Sequence, residues 1–197
     1  FEVGCYVGTF RTASTGSSNC VDVAAGKVGR LAATATTGLA NSIHETGAAF
    51  EVGCYVGTFR AANNDNSNCV NVAAGKVGRL AATATTGLSD SIHETGAAFA
   101  VDCANGTYRA ANNDASDCIT VPDGQQGENG SGAYASTGAV AAVNCVAGKY
   151  STNGDGECQD VAAGKVGRTA VTATTGLADS IHQAGAAFEV GDRKSVV

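Results

Sequence analysis

The chain has 197 residues, a formal net charge of −6 and a sequence pI near 4.9. With no Trp, no Met, 6% aromatic residues and 27 Gly, its 44% apolar fraction is largely Ala and Val, which offers little buried area per residue. Net acidity with singly scattered Lys and Arg excludes a nucleic-acid surface, and no run approaches the roughly 20 apolar residues that span a bilayer.

In chain order, Phe1-Glu-Val-Gly-Cys5 returns at Phe50–Cys54, and Phe99-Ala-Val-Asp-Cys103 opens a third, divergent copy, which sets a period of 49 residues. Residues 1–49 and 50–98 match at 41 of 49 positions. Five of the eight differences fall at Thr12 and at 14–17, opposite Ala61 and 63–66. That stretch is rich in small turn formers and predicts an exposed tip. A last partial copy restores Val161–Arg168 and closes with Ala186–Gly191. The expected divisions are 1–49, 50–98, a shortened 99–140, 141–191 and a tail at 192–197. Phe1 opens the chain in mid-repeat without an initiator Met, so it reads as a segment of something longer.

A second frame lies inside the first, an anchor followed three residues later by Gly. Anchors stand at Cys5, Val23, Cys54, Val72, Cys103, Val121, Cys145 and Val161, with closures at Cys20, Phe50, Cys69, Phe99, Cys118, Ala141, Cys158 and Phe188. Eight small units follow, alternately closed by a Cys pair and by an apolar pair. Three Val units span 27 residues from anchor to closure and the Val121–Ala141 unit spans 20, which accounts for the 42-residue spacing of Cys103 and Cys145.

Each Cys unit predicts a short hairpin. Gly8, Gly57, Gly106 and Gly148 would supply a tight bend after the first Cys, and Phe10, Phe59, Tyr108 and Tyr150 would cover the disulfide. Past each Val anchor, Leu31–Thr37, Leu80–Thr86 and Thr169–Thr175 are β-branched runs bounded by Gly, and predict strands. Leu39 and Ile43 leave room for one helical turn between Gly38 and Gly47. The fold class expected is mainly β and loop, an elongated tandem array of small disulfide-pinned repeats. A β-solenoid of roughly three coils of 16 per repeat is the alternative, ranked second because no strand motif recurs at that step.

Eight cysteines allow 105 pairings, but the repeat leaves one simple scheme: Cys5–Cys20, Cys54–Cys69, Cys103–Cys118 and Cys145–Cys158. Units this small cannot bury a sufficient core unaided, and closing a loop of about 15 residues stabilises by roughly 3 kcal/mol in the chain-entropy model. Such bridges place the chain in an oxidising compartment. Structural zinc is the rival use of Cys and needs closely spaced C-x₂₋₄-C pairs. No two cysteines here are closer than 13 residues.

Several motifs invite a catalytic or binding reading. His44-Glu45, His93-Glu94 and His182-Gln183 share one repeat phase, but no second His follows at the helical spacing of H-E-x-x-H. The third copy also replaces Glu by Gln, so a His packed at a repeat contact or facing solvent is the expectation. Gly26-Lys27-Val28-Gly29 and its copies lack a phosphate cradle. Asn63-Asn64-Asp65 and Asn112-Asn113-Asp114 read as turn chemistry rather than calcium ligands. Thr34 and Thr36, Thr83 and Thr85, and Thr172 and Thr174 would each share a strand face. These pairs resemble an ice-binding ladder, although strand propensity suffices to explain them. Asn105-Gly-Thr107 and Asn129-Gly-Ser131 are N-glycosylation sequons in Gly-rich stretches. No catalytic residue, metal site or cofactor is expected.

Cys145-Val-Ala-Gly-Lys-Tyr150 leading to Cys158 resembles the ephrin-receptor-like cysteine-rich repeat, and the tandem Gly/Ala/Thr-rich presentation is similar to ciliate surface antigens and mastigoneme proteins. The resemblance implies extracellular architecture or adhesion. It departs at Val23, Val72, Val121 and Val161, where the family continues with a second Cys step, which implies that apolar contacts replace half of the ladder. The function expected is therefore that of an extracellular structural repeat protein in a filament, sheath or surface coat. Its partners would be copies of itself and glycans, with no nucleic acid and no membrane span. The alternative is an extracellular binding module for a glycan, ice or a receptor ligand.

Overall fold

The computed structural model describes residues 4–12, 19–61, 66–111, 115–152, 154, 156–171 and 181–191. The variable tip at 14–17, Asn63–Asp65, Asn112–Asp114, Thr172, Thr174 and the tail lie outside the described residues. The chain divides into two compact bodies, one comprising Phe1–Ala84, Ile92–Val101 and Ala111–Asp117, the other Thr85–Ser91, Asp102–Ala110 and Cys118–Val197.

Sixteen short strands pair with near neighbours in the chain, giving eight two-stranded ladders among the described residues. β1 (Thr9–Phe10) pairs with β2 (Val21–Asp22), and β3 (Lys27–Arg30) with β4 (Phe50–Gly53). β5 (Thr58–Phe59) pairs with β6 (Val70–Asn71), and β7 (Lys76–Arg79) with β8 (Phe99–Asp102). β9 (Thr107–Tyr108) pairs with β10 (Ile119–Thr120), and β11 (Gln125–Glu128) with β12 (Ala141–Asn144). β13 (Lys149–Tyr150) pairs with β14 (Gln159–Asp160), and β15 (Lys165–Arg168) with β16 (Phe188–Gly191). Single 3-10 turns at Leu39–Asn41 and Leu88–Asp90 occupy the place where one helical turn was expected. These local antiparallel ladders are not the continuous parallel sheets of a solenoid, so the alternative fold class does not hold for the described residues.

The two kinds of unit close by different means. A Cys hairpin has only two residue pairs in its ladder, as in Phe59↔Val70 and Thr58↔Asn71, and a disulfide holds its base. A Val hairpin has four pairs, as in Lys27↔Gly53 through Arg30↔Phe50, and no disulfide. The longer ladder adds cross-strand pairs where no covalent link removes loop entropy from the unfolded chain.

The expected apolar closure is corrected in one respect. Val23, Val72 and Val121 are buried at 0–1% exposure, but Phe50 and Phe99 remain 39% and 38% exposed. The anchor packs instead on the inner strand. A Cβ added at Gly29 would sit 3.3 Å from a Val23 methyl and 2.9 Å from the Ala48 Cβ. Gly78, Gly127 and Gly167 meet Ala97, Ala139 and Ala186 just as closely, at 2.8–3.0 Å. The Gly of Lys-Val-Gly-Arg, and Gly127 in its place in the third copy, is thus a packing requirement. Val28 then buries against the Cys54–Cys69 bridge, so the disulfide of one hairpin forms part of the core of its neighbour.

The strands expected at Leu31–Thr37 and Leu80–Thr86 do not form, and Thr169–Val171 is likewise not strand. The chain is extended one step earlier, at Lys27–Arg30, Lys76–Arg79 and Lys165–Arg168. A β-branched run becomes strand only where a partner backbone lies alongside. The partner strands β4, β8 and β16 reach the Lys-Val-Gly-Arg segments, while Leu31–Ala35 and Leu80–Ala84 are exposed.

Adjoining hairpins are stitched by a recurring set of backbone bonds. The anchor amides of Val23, Val72, Val121 and Val161 donate to the carbonyls of Gly8, Gly57, Gly106 and Gly148 at 2.8–2.9 Å. Gly47, Gly96, Gly138 and Gly185 donate to the carbonyls of Cys5, Cys54, Cys103 and Cys145 at 2.7–2.9 Å. Gly8, Gly57, Gly106 and Gly148 adopt φ of 73–92°, the bend expected of them. The aromatics after them are half-buried strand residues opposite Val21, Val70, Ile119 and Gln159.

Candidate functional site

The four expected bridges form, with Cα–Cα distances of 5.7, 5.8, 5.9 and 5.6 Å, and no cysteine is left free. Seven of the eight cysteines are buried, Cys20 being the exposed one. Burial keeps exchange partners from the Cys54–Cys69, Cys103–Cys118 and Cys145–Cys158 bridges, which marks these three as structural.

The His-Glu pairs were the most chemically suggestive residues, and the fold places each of them along the edge of a Val-hairpin strand. The Gly29 amide donates to His44 Nδ1 at 3.0 Å, and Glu45 N–H donates to the Gly29 carbonyl at 2.8 Å. The Leu31 amide donates to Glu45 Oε2 at 2.6 Å, beside an ion pair from Arg30 Nε at 3.1 Å. The second copy repeats the pattern at 2.9, 2.8, 2.6 and 3.0 Å through His93, Glu94, Gly78, Leu80 and Arg79. Together the two side chains imitate the backbone of a third strand and satisfy the outer amides of β3 and β7. Because Nδ1 accepts from an amide, the proton of the neutral ring belongs on Nε2.

In the last copy, Gly167 N–H reaches His182 Nδ1 at 3.2 Å and Thr169 N–H reaches Gln183 Oε1 at 3.0 Å. Gln183 thus supplies the same acceptor oxygen that Glu45 and Glu94 supply in the first two copies. The shortened third copy has no His-Glu pair. There, backbone takes the glutamate's part: Asn129 N–H, at the position of the Leu31 amide, donates to the Ala133 carbonyl at 3.1 Å, while Ala135 N–H keeps the bond to the Gly127 carbonyl at 3.0 Å.

Electrostatics follow from these contacts. The Leu31 amide above all holds the Glu45 carboxyl below its usual range; burial opposes it, and Arg30 adds to the lowering. Lys165 and Glu189 pair across β15 and β16, which lowers the Glu189 pKa and raises that of Lys165, and the Ala162 amide adds to the Glu189 effect at 3.1 Å.

Two groups of side chains escaped the sequence reading. Arg60 and Arg109 are 2% and 1% exposed. The Arg60 guanidinium donates to the carbonyls of Ser67, Ala24, Lys27 and Val23 at 2.8, 2.9, 3.2 and 3.4 Å, and so joins two hairpins. The Gly-Thr-[Phe/Tyr]-Arg pattern at a fixed phase was the available signal. Ser42 and Ser91 are fully buried. Each hydroxyl donates to the carbonyl four residues earlier and accepts an amide, from Tyr55 and Ala104 respectively, at 3.1 Å.

Thr34, Thr36, Thr83 and Thr85 of the expected ice-binding ladder are not on a strand. Thr34 and Thr83 are exposed, whereas Thr36 and Thr85 donate to the carbonyls of Gly53 and Asp102 at 2.8 and 2.5 Å. They tether loops to strand ends. Both sequon asparagines are exposed. Asn129 Oδ1 accepts the Ser131 amide and hydroxyl at 3.0 and 2.7 Å, while the Thr107 hydroxyl of the other sequon is buried and donates to the Ala104 carbonyl at 2.8 Å. No group of three or more His, Cys, Asp or Glu that could hold a metal occurs among the described residues, and no helix there is long and apolar enough to cross a membrane. No protein-family model matches the chain, and no curated protein matches it either.

Proposed function

We propose that this chain is an extracellular, non-catalytic structural protein, an elongated tandem array that serves in a filament, sheath or surface coat. One observation carries the reading: the repeated His-Glu pairs, the side chains best suited to chemistry, are occupied in holding strand edges. Their spatial arrangement satisfies backbone amides, and no nucleophile, base and orienting group converge on a common point among the described residues. Four disulfides in small hairpins support an oxidising location. The resemblance to ephrin-receptor-like repeats supports the same class, and the exposed Asn105 and Asn129 side chains fit glycan attachment. Near-identical units displaying one surface at intervals favour repeated contacts with further copies.

The test is the size of natively isolated, oxidised protein by light scattering, with electron microscopy alongside. Assembled particles are expected. A persistent monomer in the micromolar range would overturn the structural reading in favour of a binding module.

A further inference from the structure

The Cys hairpins that begin at Cys54 and Cys103 each hold a short segment of the Val unit before them. At Cys54 the segment is Ser42-Ile43-His44. Tyr55 N–H donates to the Ser42 hydroxyl and Cys69 N–H to the Ser42 carbonyl, both at 3.1 Å, and His44 N–H donates to Asn68 Oδ1 at 2.8 Å. At Cys103 the same bonds recur with Ser91-Ile92-His93. Ala104 N–H meets the Ser91 hydroxyl at 3.1 Å, Cys118 N–H the Ser91 carbonyl at 3.0 Å, and His93 N–H meets Asp117 Oδ1 at 2.7 Å. Ser42 and Ser91 are fully buried, whereas Ile43 and Ile92 are 41% and 42% exposed. Each hairpin therefore recognises one hydroxyl and two backbone groups, and leaves the middle side chain in solvent.

The hairpin at Cys145 carries the same three receiving groups. Val146 stands at the position of Tyr55, Cys158 at that of Cys69, and Glu157 at that of Asn68 and Asp117. The Val unit before it is shorter, 20 residues against 27 from anchor to closure, and contains no Ser-Ile-His run. A pocket of about 200 Å³ lies at this place, lined by Gln126, Asn144, Val146, Lys149, Glu157 and Cys158, all within the second body. Gln126 Oε1 accepts the Cys158 amide at 2.8 Å, as a serine carbonyl does in the other two hairpins. Among the described residues, the Val146 amide and the Glu157 carboxylate have no hydrogen-bond partner.

We propose that this pocket binds a serine-bearing peptide segment of another protein, in the way the hairpins at Cys54 and Cys103 hold their own. The ligand's Ser hydroxyl accepts the Val146 amide, and its backbone N–H two residues later donates to the Glu157 carboxylate. The residue between them is unconstrained, as the exposure of Ile43 and Ile92 shows. A donor and an acceptor set to receive Ser-x-x backbone favour a peptide over a sugar, because peptide is what the equivalent groups hold twice in this chain. The site goes beyond the structural role and does not require self-assembly: it gives the array one attachment point, at the unit where the chain's own segment is shortened.

The experiment titrates the whole oxidised, isotope-labelled chain with the peptide Gly-Leu-Ala-Asn-Ser-Ile-His-Glu-Thr, the sequence of residues 38–46, and follows amide shifts. The Val146 resonance should move saturably, together with Glu157 and Cys158. The amides of Tyr55 and Ala104, already bonded to Ser42 and Ser91, should stay still. Replacing the peptide's Ser by Ala should weaken binding about fivefold, the effect of one neutral hydrogen bond. Glu157→Ala should weaken it by a similar factor and Glu157→Gln far less, since Asn68 performs the same role through a neutral oxygen. Gln126→Val restores the residue type of Val28 and Val77 and releases the Cys158 amide to the ligand's Ser carbonyl. It should tighten binding about fivefold, a gain that a folding defect does not imitate. Equal binding of the Ser and Ala peptides, or a Val146 amide unmoved at about 10 mM peptide, would overturn the proposal. A larger Val146 shift with glucose than with the peptide would overturn it in favour of a sugar site.

Discussion

Glu45 accepts the Leu31 amide through a carboxylate oxygen, and Gln183 accepts the Thr169 amide through a neutral one. Acceptance is therefore the function of the position, and charge adds only the Arg30 pair. Glu94→Gln should retain nearly all stability, while Glu94→Ala should lose about 1 kcal/mol by leaving the Leu80 amide without its acceptor, read by guanidinium denaturation. The same contacts set an acid dependence. Glu45 has a folded pKa below its ordinary 4.5, so its contribution is complete above 4.5 and is lost as pH falls through the lower folded value. Glu45→Gln should flatten that part of the stability profile, which thermal melts between neutral and acid pH would record. An unchanged slope would show that the clamp is not the origin. The identity of these residues was visible in the sequence at one repeat phase. Their partners were not, because a His Nδ1 facing Gly29 depends on where a loop fifteen residues later returns to the strand.

At the scale of the element, the alternation of disulfide-closed units with units lacking a disulfide was legible from anchors and closures alone, but that a four-pair ladder rather than an apolar pair closes the latter was not. Nor were the strands of the Val hairpins. Leu-Ala-Ala-Thr-Ala-Thr-Thr has the better β propensity, and Lys-Val-Gly-Arg carries a glycine that weakens a strand in isolation. The glycine is favoured here because Ala48 or Ala97 packs against it too closely for a Cβ. Val72 lies under this ladder at 0% exposure, and Val70, two residues earlier, is 52% exposed. Val72→Asp should cost at least about 3 kcal/mol for an unpaired buried charge. Val70→Asp should change stability by no more than about 0.5 kcal/mol. Similar denaturation midpoints for the two variants would contradict the buried-anchor arrangement.

For the whole molecule, stability is distributed over many small joints rather than one large core, and the exposed loops between them are the weak points. Elastase, which cuts beside small apolar residues, should cleave first within Leu31–Ala35 and Leu80–Ala84, where neither ladder nor bridge holds the chain. Mass spectrometry of the earliest products would show it, and early cuts inside β3 or β7 would sink the assignment. The amino-acid sequence by itself determined the repeat, the disulfide pairing and the β-and-loop class. Those follow from spacing, and spacing is preserved when a unit is copied. Only the tertiary structure decided which segment became strand, why Arg60 is buried, and what the His-Glu pairs do. Each of those depends on a backbone group brought close from another part of the chain, and such an unsatisfied amide or carbonyl has no signature in the residue that meets it.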